Sequence, residues 1–136
     1  MKSKFIIIAK TIGEQIAKAS EDPFQKVGAV VLNEEGRLLS AGYNGLIQNK
    51  NVNKSFWKSR SKRRPYMIHA EANALSCISK YQNPYLIYTT LLPCGYCANL
   101  IACHNIKHVI YSNEYKYDHT AKDIFKFYNI TCEKLK

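Results

Sequence analysis

His69-Ala70-Glu71 and Pro93-Cys94-Gly95-Tyr96-Cys97, separated by one helix and one strand of chain, decide how this sequence is read. An imidazole and two thiols offer three ligands suited to a zinc ion, leaving the fourth tetrahedral position for water, as a catalytic zinc site requires. Glu71 follows the histidine by two residues. It is close enough to reach such a water without being needed as a ligand, which is where a general acid/base belongs. A lone C-x-x-C reads as a redox pair or as half of a structural zinc site. Joined to His-x-Glu in this order, with Pro93 ahead of Cys94 and helical spacing after each half, it points to catalysis. A closed Cys3His site would have to use Cys103, which lies roughly two and a half turns along a helix that starts at Cys94.

Outward from this stretch the chain alternates between strands and helices. Ala70, Asn73, Ala74, Cys77 and Ile78 keep helical spacing, Asn83-Pro84 breaks it, and Tyr85 to Thr90 is a strand. Pro93 suits the first turn of a helix from Cys94 to His104. Lys107 to Tyr111 reads as a strand, Ala121 to Tyr128 as a helix and Ile130 to Leu135 as a last strand. Upstream, Val27 to Leu32 and Arg37 to Tyr43 flank the turn Asn33-Glu34-Glu35-Gly36 and predict an antiparallel hairpin. Phe5, Ile8, Ile12, Ile16 and Ala19 form an apolar stripe on a helix that Ser20-Glu21-Asp22-Pro23 stops. The pattern predicts an α/β layered domain with a mixed five-stranded sheet. At 136 residues, 1–136 is expected to be one domain.

The net charge is +10, and its source is local. Between Lys50 and Arg64 seven of fifteen residues are basic and none is acidic, so the remainder carries an unremarkable +3. This segment lacks apolar periodicity apart from Phe56 and Trp57 and is expected to be a surface loop. No run of eighteen apolar residues and no leader-like N-terminus is present, so a cytoplasmic protein is expected, host-cytoplasmic if viral, with no membrane contact. Five cysteines, two of them in the metal motif, suit a reducing compartment. Cys77, Cys103 and Cys132 are expected to be buried free thiols, and His104, His108 and His119 ordinary polar residues.

His-x-Glu followed by Pro-Cys-x-x-Cys is the signature of zinc-dependent nucleobase deaminases. The flanks narrow the resemblance. Ser20-Glu21-Asp22-Pro23 before Lys26-Val27-Gly28-Ala29-Val30-Val31, then Gly42-Tyr43-Asn44-Gly45, His69-Ala70-Glu71-Ala72-Asn73-Ala74-Leu75, Leu92-Pro93-Cys94-Gly95-Tyr96-Cys97-Ala98 and Ile106-Lys107-His108-Val109-Ile110-Tyr111 resemble the deoxycytidylate (dCMP) deaminase family. That resemblance implies a three-layer α/β/α cytidine-deaminase-like sandwich. It implies Zn2+ as cofactor, held by His69, Cys94 and Cys97, with Glu71 as the catalytic proton shuttle. Asn44 would contact the sugar, the Ala70 backbone the pyrimidine, and Tyr115 or Tyr117 would lie close to the nucleotide. Lys26 is nominated for the phosphate. After Gly45 the chain departs from the family's usual proline and glycine and runs Leu46-Ile47-Gln48-Asn49-Lys50 instead.

Two substrates are compatible with these residues. The first is dCMP, hydrolysed to dUMP for thymidylate synthesis, in a homo-oligomeric enzyme, dimer or hexamer by resemblance. The alternative is a tRNA adenosine or single-stranded cytidine deaminase, in which the basic segment 50–64 neutralises phosphates while Phe56 and Trp57 stack on bases. A mononucleotide rather than nucleic acid is expected, because a nucleotide monophosphate also rewards positive potential.

Overall fold

The computed structural model describes residues 1–136, the side chain of Asn49 excepted. Five strands, β1 Gly28–Asn33, β2 Leu38–Tyr43, β3 Pro84–Leu91, β4 His108–Asn113 and β5 Thr131–Lys134, form one sheet in the order β2-β1-β3-β4-β5. β1 pairs antiparallel with both β2 and β3, while β3, β4 and β5 run parallel, so the sheet is mixed. The six α-helices are α1 Ser3–Ala17, α2 Lys54–Lys58, α3 Arg60–Arg63, α4 Ala70–Ser76, α5 Gly95–Cys103 and α6 Ala121–Phe127.

Period-two burial explains the layering. Val30, Leu32, Leu86, Tyr88 and Ile110 pack with Ala9 of α1 on one face. Ala29, Val31, Ile87, Val109 and Tyr111 pack with Ala74 of α4, Ala98 and Ile101 of α5, and Phe125 of α6 on the other. The result is the expected three-layer α/β/α sandwich. α4 lies directly against β2 because residue 42 is glycine: a Cβ there would sit 2.6 Å from the Ala74 nitrogen and 3.0 Å from the Ala70 carbonyl oxygen.

Three expectations are corrected. The buried line of α1 is Ala9, Gly13 and Ala17, flanked by Phe5, Ile6, Ile12 and Ile16, whereas Ile8 is half exposed and Ala19 exposed. Small residues let this helix approach the sheet more closely than a line of isoleucines would. The basic segment is not a loop over its whole length, since it holds α2 and α3 followed by a 3-10 turn, Arg64–Tyr66. Asn53 accepts a hydrogen bond from the Phe56 amide and Ser59 one from the Lys62 amide, so each short helix has its own side-chain cap. Finally, Cys77 and Cys103 are exposed thiols and Cys132 is half-buried. Cys77 caps the end of α4 and Cys103 closes α5, positions where the chain turns out to the surface.

Candidate active site

His69 is the N-cap residue of α4 and Cys94 that of α5, so both helices begin at the same place with their N-termini toward it. The chain enters α4 through a two-way bridge: the Gly45 amide donates to the Ile68 carbonyl at 3.0 Å and the Ile68 amide to the Gly45 carbonyl at 2.8 Å. Asn73 Nδ2 donates to the Tyr43 carbonyl at 2.7 Å, which ties the first turn of α4 to the end of β2. On the other side the Asp118 carboxylate accepts from the Gly95 amide at 2.8 Å and from the Thr120 amide at 2.9 Å. These bonds hold Asp118 down to about 2, with the Thr120 hydroxyl the largest influence.

The His69 Nδ1 atom lies 3.5 Å from Cys94 Sγ and 3.4 Å from Cys97 Sγ. Donor atoms about 2.0–2.3 Å from a tetrahedral zinc ion stand roughly 3.5–3.8 Å apart, so one imidazole and two thiols in this arrangement fit the ion in chemistry and in spacing. The neighbouring Cys97 side chain and the Cys97 amide, which donates to Cys94 Sγ at 3.5 Å, pull Cys94 down to about 4, while the Cys94 sulfur and burial drive Cys97 strongly upward. Glu71, 4% exposed, is pushed up to about 7 by burial, against the opposing pull of its own backbone and His69. The hydrogen bond with Cys94 raises His69, while the nearby Arg64 charge works against it.

A cleft of about 830 Å³ opens over this cluster. His69, Ala70, Glu71 and Cys94 line it, and so do Asn44, Tyr115 and Tyr117, so most of the residues nominated from sequence come together there. Cys97 sits beneath, fully buried. Asn44 already uses both side-chain atoms, accepting from the Val27 amide at 2.8 Å and donating to the Gln25 carbonyl at 2.8 Å. Lys26 is not among the lining residues; it is exposed, and its ammonium donates to the Ser20 carbonyl. The cations that do line the cleft are Arg60, Arg63, Arg64 and Lys116. The density of arginine before Pro65 was the sequence signal for three of them, but it could not say which faced inward.

A family model for the cytidine and deoxycytidylate deaminase zinc-binding region matches residues 3–113. The chain belongs to this family. The probable deoxycytidylate deaminase of Drosophila melanogaster is 34% identical over 109 residues, which span 72% of this chain and 54% of that protein, so the match covers about half of the fly protein's length. The deoxycytidylate deaminase of Pongo abelii is 31% identical over 128 residues, covering 87% of this chain and 72% of that one. Among solved structures, dCMP deaminase from the cyanophage S-TIM5 in complex with dCMP and dUMP superimposes with a TM-score of 0.80 at 25% identity over 99% of both chains. The layered α/β fold and the zinc-binding character of the domain are thereby those of a zinc-dependent deaminase.

Proposed function

We propose that this chain hydrolyses dCMP to dUMP and ammonia. The observation that carries the reading is the set His69, Cys94, Cys97 and buried Glu71 at the floor of a cleft, joined to the likeness with relatives that bear the dCMP deaminase name. His69, Cys94 and Cys97 would hold the zinc ion. Bound there, the ion would lower the pKa of a water molecule and ready its oxygen for attack on C4 of the cytosine ring. The remaining chemistry falls to Glu71. A carboxyl group poised near neutrality can accept one proton from the water and pass it to the ring N3, then take the second proton from the new C4 hydroxyl and pass it to the departing amine, leaving the carbonyl of dUMP. The α5 N-terminus favours the thiolate form of Cys94, whose Sγ accepts the Cys97 amide.

The product dUMP would serve thymidylate synthesis, and the enzyme would work in the cytoplasm as a homo-oligomer. No helix among the described residues is long and apolar enough to cross a membrane. Ammonia release from zinc-loaded protein given dCMP, CMP, deoxycytidine, dCTP and a tRNA anticodon stem-loop tests the reading. Turnover of dCMP is expected; turnover of the stem-loop alone would overturn it. A chelator should remove the activity and added zinc restore it.

A further inference from the structure

Three guanidinium groups reach the cleft from one short stretch of chain, and they are not equivalent. Arg63 is buried, donates through Nη1 to the Trp57 carbonyl at 2.9 Å, stands 3.9 Å from the Asp22 carboxylate and lies over the Phe24 ring. Its charge is used in holding the insert to the body. Arg60 and Arg64 line the same cleft, yet no ion pair joins either of them to a carboxylate among the described residues. They are one helical turn apart in and just after α3, so they share a face.

The opposite wall strengthens the case. The Arg60 guanidinium lies 4.1 Å from the centroid of Tyr117, and the Lys116 ammonium lies 5.0 Å from the same ring. The Tyr117 ring thus gathers two cations at the edge of the cleft. An anion bound beside this ring gains from both positive charges. A phosphate is the natural fit, because a guanidinium offers it two parallel N–H donors.

We propose that Arg60 and Arg64 form the phosphate-binding wall of the cleft and set the preference of this chain for a nucleotide over the free nucleoside. This rests on the deaminase reading above and assigns to the basic insert the contact that sequence alone gave to Lys26.

The test is the ratio of kcat/KM for dCMP to that for deoxycytidine in the zinc-loaded wild type, Arg60→Ala, Arg64→Ala, the double variant and Lys26→Ala. One lost charge-assisted contact costs about a factor of ten. The ratio should therefore fall about tenfold in each arginine variant and about a hundredfold in the pair, carried by KM. A ratio unchanged in the double variant, or one that collapses in Lys26→Ala instead, overturns the assignment while leaving the deaminase reading intact. Should the wild type turn over neither compound, the deaminase reading fails. Calorimetric binding of dUMP against deoxyuridine then judges the wall: the same loss of preference in the double variant supports it, and an unchanged preference overturns it. Zinc content and circular dichroism of each variant confirm that it is folded.

Discussion

The floor and the wall of the cleft are built on opposite plans. The floor, α4 and α5, is anchored by buried residues on nearly every turn, Ala70, Glu71, Ala74 and Leu75 in one helix and Cys97, Ala98 and Ile101 in the other. The wall, α2 and α3, buries a single side chain, and that one is charged: Arg63, at 8% exposure. The core therefore fixes the His69, Cys94 and Cys97 cluster, while two caps and a few polar contacts hold the basic insert. Rigidity sits where ligand atoms must meet within tenths of an ångström, and adjustability where a substrate's outer groups are met.

Replacing Glu71 by Gln should make the sharpest cut between the two. Turnover should fall by roughly 10²–10⁴, the range ascribed to a positioned general acid/base, while zinc content stays at the wild-type level. Ammonia release and metal analysis on the same sample check this, and retained activity would mean that the floor does not work as described. Arg63→Ala is the strongest test of the wall. It takes the hydrogen bond from the Trp57 carbonyl and the ion pair from the Asp22 carboxylate, at about 2 kcal/mol in urea unfolding, whereas exposed Lys62→Ala should stay within about 0.5 kcal/mol. Equal effects from the two would erase the distinction between a structural and a solvated cation.

Asp118 ties the start of α5 to Thr120 ahead of α6 and gives the smallest effect. Its folded pKa lies below its unfolded one, so its contribution is complete above about 3.8 and disappears as the pH falls through about 2. Asp118→Ala should cost about 1 kcal/mol at pH 7, the carboxylate being largely solvated, and the difference from wild type should vanish toward pH 2. Chemical denaturation at a series of pH values follows both.

Much of the floor was legible from sequence because its signals are local. His69, Glu71, Cys94 and Cys97 stand at spacings that only a few chemistries use, and β1 and β2 show their hairpin through the turn at Gly36. Legibility failed where tertiary partners decide. Seven cations between Lys50 and Arg64 look alike in sequence, and only the fold tells buried Arg63 from cleft-lining Arg60 and Arg64. The helices α2 and α3 are five and four residues long, too short for an apolar period, and their caps Asn53 and Ser59 gain meaning only once the helices are seen. Lys26, nominated for the phosphate from its place before β1, lies outside the cleft lining with its ammonium donating to the Ser20 carbonyl, a partner that sequence does not reveal. On α1 Phe5 and Ile12 pack against the core as the stripe predicted, whereas Ile8 and Ala19 misled, because Ala9, Gly13 and Ala17 form the line closest to the sheet.

The two capped helices of the wall also bear on how such a protein can change over generations. Asn53 and Ser59 start the helices and Arg63 fastens them, while Lys54, Ser55, Lys58, Ser61 and Lys62 are exposed. Mutations at those five positions change the charge of the basic insert while leaving its caps, its Arg63 fastening and the buried floor in place, so this face of the chain can drift in sequence without unmaking the fold beneath it.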